Sequence, residues 1–302
     1  MKIASSSVKY PESVTSVQID YIIALVPPVL WGIYRFKIQS LSLMLLSACA
    51  ALAVEFLLDL TIYRKPRVPD IYSVYMGLIF SLTLFSETSA VFAALGGALS
   101  VIIFRLIGSK GQCFIFAPFG ARVILCAVLP HMLNTPENIA CAYLYTNSIS
   151  AASNYGFILG TVNKSIGSVS ALAVIIGALY LLIRRNTNRI GSVSYIACSF
   201  LLVFFFPLME GRGMESALNE IFAGEMLFVF AFVMTDFTWS PRSTLVKILS
   251  GASCASLTFL LIRKNMYTDA YYLSVIAVGF IGFILDKLFF TLKYRKFTKK
   301  EK

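Results

Sequence analysis

Metal chemistry has little to work with in this sequence, which holds one histidine, His131, and six cysteines with no CxxC pair among them. A zinc site needs several converging Cys, His or carboxylate ligands. The scattered Cys49, Cys113, Cys126, Cys141, Cys198 and Cys254 therefore read as small packing residues, and no metal centre is expected. Charge is also scarce, at 14% of 302 residues, and acid is scarcer still, with 15 acidic residues against 26 basic ones. There is no phosphate-cradling glycine loop and no serine-hydrolase elbow, so no catalytic residue for bond cleavage is assigned. Short alternating segments are missing, which excludes a transmembrane β-barrel. No small-residue cleavage site follows the first apolar run, so a removable signal peptide is not expected.

What the sequence has in excess is apolar material, 58% hydrophobic with a mean hydropathy of +0.79. A soluble domain of this size has no core large enough to hide it. Apolar runs long enough to cross the roughly 30 Å hydrocarbon layer recur along the whole chain. The fold class is an all-α polytopic membrane protein of about ten transmembrane helices. The spans are Val17–Ile33, Leu41–Leu60, Tyr72–Phe85, Ala90–Ile107, Phe119–Leu133, Ile166–Ile183, Val193–Met209, Ala217–Met234, Leu245–Ile262 and Tyr272–Leu292. The third and fifth are short enough to be broken or re-entrant. Five spans lie on each side of residues 134–165. If the halves share a fold, an odd number of spans forces the second to be inverted, as in many transporters. The expected organisation is an N-terminal segment 1–16, a five-helix repeat 17–133, an outer loop 134–165, a second five-helix repeat 166–292 and a basic tail 293–302.

Ten spans put both termini on one side. That side collects 19 of the 26 basic residues, among them Arg64, Lys65, Arg67, Arg105, Lys110, Arg184, Arg185 and the six from Lys293 to Lys302. The opposite loops hold Arg35, Lys37, Lys164, Arg212, Arg263 and Lys264. The positive-inside rule makes both termini cytoplasmic in a multi-pass protein of the cytoplasmic (inner) membrane. The net charge of +11 then needs no nucleic acid; a basic rim facing anionic membrane lipid accounts for it.

Charges inside apolar runs cost several kcal/mol unless paired or hydrated. Asp20, Asp59 and Asp286 lie near span ends, where snorkelling or capping explains them. Glu55, Glu225 and Asp236 are the ion-path or buried-charge candidates, with structural pairing as the equal alternative. Arg122, at the start of span five, is either the partner of one of them or a seat for an anion. Between spans five and six the apolar pattern gives way to "TNSISAASNYG", Thr146 to Gly156, rich in hydroxyls and without helical or strand period.

Several stretches resemble a known family: "VTSVQIDYIIALVPPVLWGIY", "GQCFIFAPFGARVIL", "SIGSVSALAVIIGALYLLIRR" and "FAFVMTDFTWSPRSTLVKILSGASCASLTFLLIRK". Together they are similar to the D subunit of the Rnf electron-transport complex and its relative, the B subunit of the sodium-translocating NADH:quinone reductase. The span-six segment and the TDxxxSP of Thr235, Asp236, Ser240 and Pro241 are the most specific parts. The resemblance implies ten helices in two repeats and partner subunits in a complex. That complex moves electrons between ferredoxin and NAD, coupled to Na+ or H+ translocation. It also implies FMN, joined through its phosphate to a hydroxyl in a motif like D-x-x-[ST]-G-A-[TS], and leaves riboflavin possible. The aligned residues are Asn147, Ser148, Ile149, Ser150, Ala151, Ala152 and Ser153. The hydroxyl survives as Ser153, but the acid has become Asn147 and the glycine Ala151. Cofactor-binding candidates are Ser153, Asn147, Ser150, Ala152, Arg122 and Ser165, the last at the polar entry to span six. Two readings follow: Ser153 is esterified to FMN, or the fold and partners persist without a covalent flavin. A third, from another class, is a flavin-free channel or carrier for a small solute or ion, with Glu55, Arg122 and Glu225 along its path.

Overall fold

The computed structural model describes residues 14–63, 70–108, 113–133, 165–184, 188–209, 221–222, 225–264 and 269–298. Among these there is helix and no strand. We number the helices α1 (Val14–Tyr63), α2 (Ile71–Leu82), α3 (Ala90–Ile107), α4 (Ala117–Val128), α5 (Ala171–Ile183), α6 (Arg189–Met209), α7 (Met226–Phe228), α8 (Thr244–Arg263) and α9 (Ala270–Thr298). Five helices among the described residues are long and apolar enough to cross a membrane, and α2, α4 and α5 are shorter apolar helices. The protein is a multi-pass membrane protein.

The first two expected spans are joined without a loop. Helix α1 runs 50 residues, broken only at Lys37, whose φ of 53° is the single positive value outside glycine among the described residues. A straight helix would separate positions 32 and 40 by about 12 Å. Instead Ser40 Oγ donates to the Gly32 carbonyl at 3.0 Å, so the chain folds back at Lys37 into two arms. The expected connector 34–40 is therefore a single-residue reversal, which apolar and helix-compatible neighbours on both sides allow.

Several of the remaining elements are interrupted. Expected span three ends early, as α2, at Leu82, and the Thr83 hydroxyl that follows donates to the Phe80 carbonyl at 2.6 Å. Span five ends as α4 at Val128, before Pro130, and a 3₁₀ turn, Pro130–Met132, follows. Span six begins later than expected, at α5. Residues Ser165–Ser170 are non-helical, and Ile166 and Gly167 donate their amides to Leu84 and Leu82 at 2.8 and 2.7 Å. Ser170 then caps α5 by accepting from the Ala173 amide. Helix α7 runs into a single π turn, Val229–Val233. Irregular backbone at membrane depth is tolerated where protein surrounds it and satisfies its polar groups, and these segments are largely buried.

Long helices flank this broken centre. The second arm of α1 packs on α3, and α6 packs on α8. Each contact closes over a glycine one residue past the second turn of α3 or α8. A Cβ on Gly97 would collide with the Ser47 carbonyl, and one on Gly251 would meet the Gly191 carbonyl and the Tyr195 amide. Small residues at such points let backbones approach where lipid gives no hydrophobic drive for association.

Candidate functional site

The broken centre holds two polar clusters at opposite ends of α2. Near its N-terminus lies Asp236, 0% exposed, in the turn that follows the π segment. The amide and hydroxyl of Thr238 both donate to Oδ1 at 2.7 Å, an Asx turn that fixes the carboxylate. The Tyr72 hydroxyl reaches Oδ2 at 2.9 Å and the Tyr75 hydroxyl reaches it at 3.3 Å. Tyr21, from the first arm of α1, donates to the Thr235 carbonyl at 2.7 Å and packs on Tyr75 with ring centroids 5.2 Å apart. The loop before α4 joins here too, as the Cys113 amide donates to the Thr238 carbonyl. Both oxygens of this carboxylate are occupied by donors, Oδ1 by Thr238 and Oδ2 by Tyr75, with the Tyr72 hydroxyl within reach of both.

The second cluster lies where α2 ends. Arg122 is 1% exposed on α4. Its Nη1 donates to the Thr83 carbonyl, and its guanidinium carbon lies 4.3 Å from the centre of the Tyr272 ring. The Phe85 ring stands 5.9 Å away. Nε and Nη2 of Arg122 have no hydrogen-bond partner among the described residues. Glu225, just before α7, interacts electrostatically with Arg122 and lies against the hydroxyls of Tyr272 and Ser165. Its Oε2 is likewise buried and without a partner among the described residues. Tyr272, from α9, also reaches the Thr83 carbonyl at 3.5 Å.

Three further charge groups are closed. Glu55, 1% exposed, pairs with Arg105 of α3, which lies 3.6 Å from Asp59 one helical turn on. Asp20 takes Arg184 at 3.2 Å and the Tyr180 hydroxyl at 2.8 Å. Asp286 of α9 accepts the Arg242 and Ser243 amides at 3.0 Å each, holding the start of α8 from a neighbouring helix. The structural expectation for Asp20, Asp59 and Asp286 matches these contacts.

Of the site candidates, Arg122, Glu225 and Ser165 come together, Asp236 stands apart from them, and Glu55 stands elsewhere with Arg105. Ser153, Asn147, Ser150 and Ala152 lie outside the described residues. No group of three or more His, Cys, Asp or Glu able to hold a metal occurs among the described residues. Sequence reasoning missed Arg105 as the partner of Glu55, and it missed Tyr21, Tyr72, Tyr75 and Tyr272. The available signal was tyrosine inside apolar runs, where each hydroxyl must find a partner.

A broken-helix membrane fold with polar groups gathered at its interruptions defines an integral membrane protein built around a central site. The chain belongs to the NQR2, RnfD, RnfE family, whose model matches residues 2–294. It is 21% identical to the D subunit of the proton-translocating ferredoxin:NAD(+) oxidoreductase complex of Clostridium ljungdahlii, over 96% of this chain and 95% of that protein. It is 24% identical to the D subunit of the Na(+)-translocating ferredoxin:NAD(+) oxidoreductase complex of Acetobacterium woodii, over 91% and 89% respectively. The B subunit of the Na(+)-translocating NADH-quinone reductase of Chlamydia felis is 24% identical across 53% of this chain and 35% of its own length.

Proposed function

We infer that this chain is the membrane subunit of an Rnf-type ion-translocating oxidoreductase complex, and that it carries FMN on Ser153. The observation that carries the reading is where the polar segment begins and ends. Residues 134–164, with Ser153 among them, leave the described structure at Leu133 and return at Ser165. Leu133 accepts from Thr88, and Ser165 lies against Glu225, so the returning end is anchored at the Arg122 cluster. A flavin held on Ser153 has within reach a buried place where a guanidinium edge and a carboxylate oxygen stand unpartnered among the described residues. Those orphaned groups fit a bound polar ring better than they fit a dry helix contact, which would leave them at a cost of about 1–3 kcal/mol each. When bound, the flavin supplies one- and two-electron transfer. The chain's part is to hold, orient and shield the ring.

The same reading takes the two halves as inverted repeats of five spans, with both termini cytoplasmic in the inner membrane. The paired glycine contacts of α1 with α3 and of α6 with α8 support it. Asp236 and the Glu55–Arg105 pair are its buried charges, and riboflavin is the second flavin it admits.

The test is ultraviolet fluorescence of the purified chain after denaturing electrophoresis. A fluorescent band that disappears in Ser153→Ala is expected. A dark wild-type band, together with solute uptake by reconstituted vesicles, would favour a flavin-free carrier on the same scaffold.

A further inference from the structure

We propose that Arg122 and Glu225 form the receiving site for the imide edge of a flavin ring, the edge that presents carbonyl acceptors on either side of an N–H donor. The proposal takes its occupant from the flavin reading above, but its geometry is independent of Ser153. Arg122 is held on three sides. Thr83 takes Nη1, Tyr272 covers one face at 4.3 Å, and Phe85 stands beyond at 5.9 Å. What remains is the Nε–Nη2 edge, the straight two-donor side of the guanidinium, buried and unpartnered among the described residues. A buried fork of this kind calls for an acceptor group from outside the helices. Glu225 interacts electrostatically with Arg122, and its Oε2, buried and without a partner among the described residues, calls for a donor.

Charge and complementarity select among occupants. A phosphate would satisfy the fork but set its negative charge against Glu225, so the anion is disfavoured. A quinone offers acceptors only and leaves Glu225 Oε2 as it is. An imide offers both kinds of group on one edge and is neutral, and the Asp269 carboxylate, which also interacts with Arg122 and Glu225, sets the surroundings further against an anion. A bridging water also has both functions, and the experiment separates it from the ring.

The full chain carrying Ser153→Ala is purified in detergent and titrated with riboflavin, which has the ring edge but no phosphate. Binding is followed by quenching of flavin fluorescence. Saturable binding is expected, weakened roughly tenfold or more by Arg122→Lys and by the nearly isosteric Glu225→Gln, since a site built to hydrogen-bond a group rejects a mismatched one strongly. Riboflavin methylated at the imide nitrogen tests the same contact without any substitution in the site. It should bind the parent chain weakly and lose nothing further in Glu225→Gln. Equal riboflavin binding in all three chains, no binding to the parent, or equal affinity for the methylated ring would each overturn the site and leave water as its occupant. The outcome is separable from the covalent reading. A fluorescent band lost in Ser153→Ala without Arg122-dependent riboflavin binding keeps the flavin and removes this site. Arg122-dependent binding with no covalent band keeps the site and removes the ester.

Discussion

The Asp236 and Arg122 clusters stand at opposite ends of α2, roughly 16 Å apart along its axis, and they are built on one device. Each centres on the carbonyl of a threonine that ends a helical segment. The Thr235 hydroxyl turns back to Ala231 at 2.6 Å, and the Thr83 hydroxyl to Phe80 at 2.6 Å. Thr235 offers its carbonyl to Tyr21 and to the Asn188 amide, while Thr83 offers its own to Arg122 and Tyr272. Beyond that they part. The Asp236 carboxylate has its donors in place, whereas the Arg122 fork and Glu225 Oε2 have no partners among the described residues. A completed buried network rigidifies a fold; an incomplete one signals a missing occupant. On the reading proposed above, the first cluster is framework closing a broken helix and the second is a place for a ligand.

The sharpest way to break this comparison is to remove the completed carboxylate. In Asp236→Leu the Tyr72, Tyr75 and Thr238 donors lose their common acceptor inside the protein. We expect a loss on the order of 3 kcal/mol, because each stranded donor costs about 1–3 kcal/mol and some rearrange. The thermal unfolding midpoint in detergent reads it. An unchanged midpoint would mean that Asp236 is not framework.

A second substitution separates polar completeness from simple tightness. Gly97→Ala puts a methyl group into the Ser47 carbonyl, and Gly251→Ala does the same to Gly191. Overpacking of this kind costs about 1–3 kcal/mol. At Gly282 a methyl group would meet only Pro241 and Ser250, at 3.8 and 4.0 Å, so Gly282→Ala should stay within roughly 0.5 kcal/mol. Similar losses at Gly97 and Gly251 would support equivalent roles in the two halves. A loss at only one would count against the inverted repeat. A smaller effect is expected from Glu55→Gln, about 1 kcal/mol. Arg105 is partly exposed at 28% and retains Asp59 nearby, so solvent and the second carboxylate absorb much of the change.

Much of this architecture was legible in the sequence, and the rest was hidden for physical reasons. The long spans followed from unbroken apolar runs: Ala90–Ile107 matches α3 end for end, and Leu245–Ile262 falls one residue short of α8 at each end. The breaks were less visible. Span six looks helical from Ile166, but its first residues give their amides to Leu82 and Leu84, a long-range exchange that local pattern does not register. The reversal at Lys37 is hidden likewise, since nothing in "RFKIQS" resembles a turn. At the site, the intramembrane cost of charge brought Glu55, Asp236, Glu225 and Arg122 forward. Which of them pair was not encoded by spacing, because Arg105 and Glu55 are 50 residues apart and meet only through the packing of α1 on α3.

The most discriminating prediction has the smallest stability effect. Glu225→Gln makes at the second cluster the same change of carboxylate to amide that Asp236→Asn makes at the first. In Asp236→Asn, one oxygen that accepts from hydroxyls becomes an NH2 that must find acceptors among donors, so a loss of about 1–2 kcal/mol is expected. In Glu225→Gln the altered oxygen, Oε2, has no donor among the described residues to lose. Removing its charge also lowers the cost of burial, although the opposite charge of Arg122 then goes unmatched. These terms oppose each other, and the unfolding midpoint should move by less than roughly 0.5 kcal/mol in equivalent stability. If Glu225→Gln destabilises the chain as much as Asp236→Asn does, the two clusters are both framework and the distinction between them fails. If it leaves stability intact while riboflavin binding weakens, the orphaned edge of Arg122 and the orphaned oxygen of Glu225 are held open for a ligand.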